Sequence, residues 1–441
     1  MTDNLIGYKG KVLRTLEKAE LEIGDNIRIC RNEEVFEGTL MPRYELADDE
    51  HIVIKLRNGY NVGIKLTPTI KVEKTGKGVK PAFVAPPLPR EKNGLPVVSI
   101  ISTGGTIASR VDYRTGAVHS ALSASDLYSV VPELSDLANV RTKILYSIFS
   151  ENIHAPHWIE LAKEVARFIE EGVDGIVICH GTDTMGYTSA ALSFVLQNLP
   201  VPVILVGSQR SSDRPSSDAA MNLINAVNAA SKSPIAEVMV GMHESPSDTT
   251  TVLHRGTKVR KCHTSRRDAF KSVNIPPLAR IEGNKVSILV EEYSRRDLSR
   301  KLVLKPDLDE KVALVKFHPG FDVEVIDWYV DKGYRGIILE GTGLGHVGDA
   351  FFPKIRNAVE HSLLVGMTSQ CIWGRVNLNV YDTGMDLQEM GVIPLEDMLP
   401  ETALVKMMWI FGQTRNIEEA KKLLLTNIAG EFSKRTTYTE D

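Results

Sequence analysis

The sequence is poor in cysteine, and its four cysteines form no recognisable framework. They are widely scattered, at Cys30, Cys179, Cys262 and Cys371, with no C-x-x-C pair among them. A disulfide-stapled scaffold and a structural zinc site both need closely and regularly spaced cysteines. The spacing therefore argues against both classes and predicts free thiols, most of them buried.

Long apolar runs are also missing. No stretch reaches the roughly 18 uninterrupted apolar residues of a membrane-spanning helix, and residues 1–13 lack the apolar core of a signal peptide. We therefore expect a soluble, cytoplasmic protein. Neither sign of charge dominates, because 52 Lys and Arg face 56 Asp and Glu. Bulk charge consequently gives no sign of a nucleic-acid partner, and any basic patch must be local.

Two motifs of nucleotide- and metal-dependent enzymes are absent as well. The chain carries neither the G-x-x-x-x-G-K-[ST] of a P-loop nor the H-E-x-x-H of a zincin, so neither kind of site is expected. What the sequence does contain is 441 residues, 43% of them hydrophobic. That length is enough for about two to four domains with cores of their own.

Composition divides the chain near residue 76. A run rich in proline and glycine at residues 76–95 has no hydrophobic period and predicts a linker. Upstream of it, turn signals, including a hairpin signal at Asn58-Gly59, separate four β-rich segments at residues 26–30, 35–41, 51–56 and 61–66. We predict a small β-barrel of the SH3 or Tudor kind over residues 1–75.

Downstream of the linker, apolar strand-like runs alternate with helical patterns. The strand-like runs include residues 175–180, 336–341 and 363–369, and a long helical pattern covers residues 157–172. This alternation is typical of βαβ units around a buried parallel sheet. A polar, charge-rich interval near residues 282–309 interrupts it. The fold class is therefore α/β with two lobes, predicted over residues 96–295 and 296–441.

Hydroxyl groups follow two of the predicted strands, at the position where open α/β sheets bind ligands. Thr103 begins a T-G-G-T-I run, and Thr182 and Asp183 lie within an H-G-T-D-T run. Paired glycines let backbone N–H groups point inward, which suits an anion-binding nest or a nucleophile beside an oxyanion site. Two alternatives stay open: a plain strand–turn motif at Thr103, and helix capping by Asp183 and Thr184.

Lys261 is a further candidate, because it lies in the basic run at residues 254–270. Such a run usually forms a solvated face, but a desolvated lysine in a cleft can shuttle protons. If Lys261 points into a cleft, we expect its neighbours Lys258, Arg260 and Arg266 to serve a partner or tRNA. The glycine-rich run at residues 341–345 lacks the G-x-G-x-x-G spacing and predicts a turn.

Together these motifs resemble those of the L-asparaginase family, the bacterial-type amidohydrolases, over about residues 96–441. The resemblance implies that Thr103 is the nucleophile and that Thr182, Asp183 and Lys261 form a proton relay. It also implies that Tyr113 belongs to a mobile lid. No metal is implied.

The same resemblance implies that Ser150 and Glu151 hold the α-carboxylate and α-amine of the substrate. The glutamate departs from the Ser-Gln or Ser-Ser pair of the family, and a carboxylate suits an α-ammonium better than an anion.

With its N-terminal β module, the whole chain is similar to the ammonia-supplying subunits of archaeal tRNA-dependent amidotransferases. This similarity implies glutamine as the substrate, a homodimer within a heterotetramer, and a partner subunit that uses ATP and Mg²⁺ on Glu-tRNA(Gln). No cofactor is implied for this chain. Two other functions stay open: a free-standing asparaginase, and a non-catalytic protein that binds RNA or protein.

Overall fold

The computed structural model describes most of the chain, namely residues 5, 7–32, 34–43, 48–56, 61–77, 91–105, 107, 109–111, 118–120, 131, 133–210 and 217–436. Four features singled out above lie wholly or largely outside the described residues: Tyr113, Thr106 of the T-G-G-T-I run, the Asn58-Gly59 hairpin signal, and the predicted linker, of which residues 78–90 are not described.

The N-terminal unit is a five-stranded antiparallel sheet in the order β4-β3-β2-β1-β5, preceded by one helix. Its elements are α1 (Gly10–Lys18), β1 (Asn26–Arg31), β2 (Glu34–Leu40), β3 (His51–Lys55), β4 (Asn61–Lys65) and β5 (Lys71–Gly76). The four predicted strands are confirmed, whereas α1 and β5 were not predicted. Val12 and Leu16, one helical turn apart, join alternate strand residues such as Ile27 and Ile29 in a core of their own.

The central sheet has eight strands in the order β18-β17-β14-β13-β12-β10-β6-β9. Five of them are parallel: β6 (Val97–Gly104), β9 (Asn139–Ile148), β10 (Gly175–Cys179), β12 (Val203–Val206) and β13 (Val238–His243). The remaining three are antiparallel: β14 (Thr250–Arg255), β17 (Ala279–Glu282) and β18 (Lys285–Ile288). The predicted parallel sheet is thus a mixed sheet, because the short β13–β14 and β17–β18 connections leave no room for a crossover helix.

Three two-stranded pairs accompany this sheet in the described part of the chain. They are β7 (Ser109–Val111) with β8 (Val118–Ser120), β11 (Leu196–Gln197) with β19 (Val303–Leu304), and β15 (Val259–Lys261) with β16 (Phe270–Ser272). The last pair positions Lys261.

Helices cover both faces of the central sheet. They are α2 (Leu134–Leu137), α3 (Ala155–Glu170), α4 (Met185–Val195) and α5 (Ala219–Lys232). Alternate residues of β10 explain the two layers, because Ile176 and Ile178 pack with α3 and α4 while Val177 and Cys179 pack with α5. The long helical pattern predicted near residues 157–172 is confirmed as α3.

The C-terminal lobe is a four-stranded parallel sheet of β20 (Val312–Lys316), β21 (Gly336–Gly341), β22 (Leu364–Ser369) and β23 (Ile393–Pro394). Its helices are α6 (Glu324–Asp331), α7 (Phe351–Glu360), α8 (Asp382–Glu389), α9 (Pro400–Gln413) and α10 (Ile417–Leu425). Helix α9 is buried against α4, where Trp409 stacks on Phe194 with ring centroids 6.1 Å apart. One hydrophobic core therefore spans both lobes.

The cysteines are free, but the expectation that most are buried is wrong. Cys179 is buried inside β10, Cys30 is half-buried, and Cys262 and Cys371 are exposed. The exposed pair follows the ends of β15 and β22, where the chain leaves the sheets. Among the described residues, no helix has both the length and the apolar character needed to cross a membrane.

Candidate active site

Two parallel strands bring the two threonine motifs together. Ser102 on β6 lies opposite Cys179 on β10, so both strands end at the same edge of the sheet. Thr103 is 1% exposed, and its Oγ1 donates a hydrogen bond to the Cys179 carbonyl oxygen at 3.0 Å. The first hydroxyl is therefore held between the two strand ends.

The glycines after Thr103 make this close approach possible. Gly104 and Gly105 have φ of +111° and +81°, in the region that favours glycine. A Cβ on Gly105 would lie 2.5 Å from the Gly181 nitrogen, and one on Gly104 would lie 2.3 Å from the Ile148 carbonyl oxygen. The two glycines thus allow the first motif to pack closely against the second motif and against Ile148. A plain strand–turn motif does not require such close packing.

Lys261 reaches both polar side chains of the second motif. Its Nζ lies 2.8 Å from Thr182 Oγ1 and 2.8 Å from Asp183 Oδ1. The Lys261 side chain is 14% exposed, so this lysine lies in the cleft and not on a solvated face. Asp183 is 69% exposed on its side chain and so remains accessible to a small molecule.

The helix-capping alternative does not match the geometry. Thr184 is the N-cap residue of α4, but its side chain makes no capping hydrogen bond. Its Oγ1 instead donates to the Ser150 carbonyl oxygen at 2.7 Å, while the Asp183 carboxylate pairs with Lys261. Both side chains tie loops of the cleft together.

The structure brings Ser150 to this cleft as well. Ser150 is buried in a short 3₁₀ helix (Ser150–Asn152), and its Oγ would lie 2.7 Å from a Cβ on Gly181. Glu151 follows it and is exposed. The substrate-binding roles of these two residues stay predictions.

His180, the first residue of the second motif, is fully buried. Its Nδ1 lies 2.7 Å from the Gly181 carbonyl oxygen, and its Nε2 lies 2.9 Å from Thr188 Oγ1. Burial lowers the pKa of His180 to about 4, which keeps the imidazole neutral at pH 7. Because the carbonyl only accepts, Nδ1 carries the proton and Nε2 accepts from the threonine hydroxyl.

Sequence reasoning assigned no role to the turn that follows β12. A Cβ on Gly207 would lie 2.8 Å from the Thr182 Cγ2, so this turn packs directly behind the relay. The buried Asp218 carboxylate accepts the backbone N–H groups of Gln209 and Arg210, each at 3.0 Å. The sequence did offer one signal for this turn: like the two threonine motifs, it directly follows a strand of the sheet.

The prediction that Lys258 serves a partner or tRNA is wrong. Its side chain is fully buried, with Nζ 2.7 Å from Asp397 Oδ2, because β15 runs between the two lobes. Arg260 and Arg266 have partners within the chain, Glu401 at 3.1 Å and Asp268 at 2.8 Å. In the described residues, no three His, Cys, Asp or Glu side chains are grouped as metal ligands would be.

Three protein-family models match the chain in succession. The GatD N-terminal domain matches residues 21–75, Asparaginase, N-terminal, matches residues 97–293, and the Glutaminase/Asparaginase C-terminal domain matches residues 311–424.

Relatives match over almost the full length. The chain is 53% identical to the GatD subunit of the Pyrococcus abyssi glutamyl-tRNA(Gln) amidotransferase, over 96% of this chain and 98% of that one. It is 49% identical to the corresponding subunit from Methanothermobacter thermautotrophicus, over 98% of this chain and 99% of that one.

Solved structures match about three quarters of the chain. The thermostable L-asparaginase from Thermococcus kodakarensis matches with a TM-score of 0.69 and 32% identity, over 76% of this chain and 99% of that one. L-asparaginase I from Vibrio cholerae matches with a TM-score of 0.68 and 29% identity, over 77% and 100%. These asparaginases therefore lack a counterpart for about a quarter of this chain.

Proposed function

The chain belongs to the GatD family of glutamyl-tRNA(Gln) amidotransferase subunits, and from this premise we propose that it hydrolyses glutamine to supply ammonia for amide transfer. The ammonia converts Glu-tRNA(Gln) to Gln-tRNA(Gln) in the assembled enzyme. The observation that carries this proposal is the contact of Lys261 with both Thr182 and Asp183 beside the buried Thr103.

Thr103 acts as the nucleophile in this proposal. Its Oγ1 attacks the side-chain amide carbon, and its proton passes to the relay. The carbon–nitrogen bond then breaks, and ammonia leaves with the added proton. Water hydrolyses the resulting ester to glutamate and restores the hydroxyl. An unaided threonine hydroxyl is a poor nucleophile, so a base within reach is a chemical requirement.

The relay supplies that base. Lys261 accepts the Thr103 proton as a neutral amine and later gives it to the leaving ammonia. Thr182 Oγ1 and Asp183 Oδ1, each 2.8 Å from Nζ, hold the lysine in place. Asp183, the more exposed partner, also holds the substrate α-amine. Ser150 binds the α-carboxylate, Glu151 faces the α-ammonium, and Tyr113 belongs to the lid.

In this proposal the present chain releases ammonia, and a second chain carries out the transfer step. We propose the E-type subunit of the amidotransferase as the partner, which uses ATP and Mg²⁺ on Glu-tRNA(Gln). The assembly is a heterotetramer of two GatD-type and two E-type chains, built on a homodimer of this chain. No cofactor is needed for the hydrolysis itself. The N-terminal sheet then serves to dock a partner or RNA.

The test is to express the chain with and without the E-type partner and to compare ammonia release from glutamine and asparagine. We expect glutamine hydrolysis that depends on the partner and on Glu-tRNA(Gln). Fast asparagine hydrolysis that ignores the partner would instead establish a free-standing asparaginase. Absence of turnover of either amide in the complete complex would support a non-catalytic binding protein.

A further inference from the structure

A chain of buried polar side chains runs from the turn behind Thr182 to the molecular surface. Its members, in order from the inside, are Asp218 and Asn222 at the start of α5, His243 at the end of β13, Asp248 in the β13–β14 turn, and Arg267. The first three side chains are completely buried. Buried polar groups of this kind are costly unless every member is satisfied.

The inner end of the chain holds the turn at residues 207–210. Asn222 Nδ2 donates to the Gly207 carbonyl oxygen at 2.9 Å and to Asp218 Oδ2 at 3.0 Å. Asp218 in turn accepts the N–H groups of Gln209 and Arg210. These bonds act on the turn backbone, and Gly207 is the residue that packs against the Thr182 methyl group.

The orientation of the Asn222 amide determines the direction of its hydrogen bond with His243. Both hydrogens of the Asn222 amide are directed at acceptors, so its Oδ1 must face His243 Nδ1, which lies 2.6 Å away. Nδ1 is therefore a donor. The other ring nitrogen, Nε2, lies 3.0 Å from a carboxylate oxygen of Asp248.

The outer end of the chain returns to the relay. Asp248 also pairs with Arg267, which lies six positions after Lys261 in the loop between β15 and β16. Through Asp248, the polar chain is therefore connected to this loop. It ties the turn behind Thr182 to the segment that carries Lys261, so both sides of the 2.8 Å Thr182–Lys261 contact are cross-connected.

We propose that Asn222 and His243 are positioning residues for amide hydrolysis: they hold the turn at residues 207–210 against Thr182 and so keep its hydroxyl on Lys261. This inference rests on the proposed function, because it concerns the same relay. A hydrogen bond of 2.8 Å does not survive a displacement of about 1 Å. Misplacement of this size in a catalytic group costs about a hundredfold in rate.

The main test compares two buried asparagines of α5 in the assembled complex. Asn222→Leu removes the bond to Gly207, and we expect kcat to fall at least about tenfold. KM should stay within about twofold, because Ser150, which binds the α-carboxylate in the proposed function, lies on another segment. Asn225→Leu is the matched control, since Asn225 is equally buried but donates to Thr251 Oγ1 on β14 at 2.8 Å. It should lower the melting temperature and leave kcat unchanged.

A pair of His243 variants separates the hydrogen bond from packing. His243→Asn retains a donor that can reach Asn222, whereas His243→Leu retains only bulk. We expect His243→Asn to keep kcat within about threefold of the wild type and His243→Leu to lose it as Asn222→Leu does. This pair decides the matter if Asn222→Leu does not fold.

Ammonia release is measured with both glutamine and asparagine. A wild-type complex that turns over only asparagine contradicts the proposed function, and the positioning role is then judged on asparagine, because the relay is the same. Equal kcat loss in Asn222→Leu and Asn225→Leu overturns the positioning role. So does a His243→Asn variant that is no more active than His243→Leu.

Discussion

Lys258 and Lys261 are only three positions apart, yet their surroundings differ completely. Lys258 is enclosed between the lobes with Asp397, and both side chains are fully buried. Lys261 faces the cleft with Asp183, whose side chain is 69% exposed. Removing one partner of a buried ion pair leaves an uncompensated charge, whereas an exposed carboxylate is solvated by water. The two lysines therefore separate stability from activity.

We expect Lys261→Met to abolish glutamine hydrolysis while the free energy of unfolding stays nearly unchanged. Lys258→Met should instead act on stability. We expect it to lower the free energy of unfolding by about 3–5 kcal/mol, because Asp397 is left buried without its cation. Denaturant titration and ammonia release on the same preparations measure both. Full activity in Lys261→Met would remove this residue from the mechanism.

Thr103→Val tests the nucleophile with almost no change of shape. We expect a loss of at least about a thousandfold in kcat, and similar losses for Thr182→Val and Asp183→Asn, because groups that act as a unit fail together. Ser99→Ala is the control on the same strand, since the Ser99 hydroxyl is buried and has no hydrogen-bond partner among the described residues. Added ammonium should restore amide transfer in the complex of each inactive variant. Failure of that rescue would contradict the assignment of transfer to the second chain.

At the scale of elements, strand ends are where packing and function coincide. Gly105 has φ of +81°, and a Cβ on it would clash with the Gly181 backbone. Gly172, after helix α3, has φ of +79°, and no atom of the described residues lies within 4 Å of a Cβ built there. At both positions the positive φ disfavours any side chain, but only at Gly105 would a side chain also clash with a neighbouring segment. Comparing substitutions at these two glycines therefore measures how much the close contact between the two motifs contributes to hydrolysis.

We therefore expect Gly172→Ala to lower the free energy of unfolding by about 1–2 kcal/mol and to leave hydrolysis intact. Gly105→Ala should add a steric displacement of the Thr103 loop and lower kcat by about a hundredfold or more. Steady-state kinetics and thermal unfolding of both variants give the comparison. Equal activities would show that the contact between the two motifs is irrelevant to catalysis.

Strand and helix periods made most elements predictable. The segments predicted near residues 157–172, 175–180, 336–341 and 363–369 are confirmed, because an apolar period of two or 3.6 is a local property. The antiparallel strands β14, β17 and β18 were not foreseen as part of the sheet. Strand direction depends on which neighbour a segment pairs with, and this is decided by contacts distant in sequence.

At the scale of the whole molecule, the N-terminal unit has a core that shares no residue with the other cores. Its buried cluster draws on residues between Leu5 and Ile64, whereas the three other clusters begin at Val97 or later. The two asparaginase-like lobes, in contrast, share one core through α4 and α9. The lobes are therefore expected to unfold together and the N-terminal unit apart from them.

Deletion of residues 1–90 should leave a folded chain that contains all four proposed catalytic residues. We expect coupled amide transfer, and the partner-dependent ammonia release that accompanies it, to weaken, because the deleted unit docks a partner or RNA. Circular dichroism, ammonia release and Gln-tRNA(Gln) formation measure these three properties. An insoluble product, or Gln-tRNA(Gln) formation at the full-length rate, would contradict the role given to this unit.

From the sequence alone followed the α/β class, four of the five strands of the N-terminal sheet, and the two threonine motifs with Lys261 as candidates. These rest on local period and on residue types at strand ends, which a linear pattern carries. Only the tertiary structure decided that Lys261 enters the cleft while Lys258 is buried with Asp397. It alone assembled Asn222, His243 and Asp248 behind Thr182, because hydrogen-bond partners from separate segments meet only when the sheet is folded.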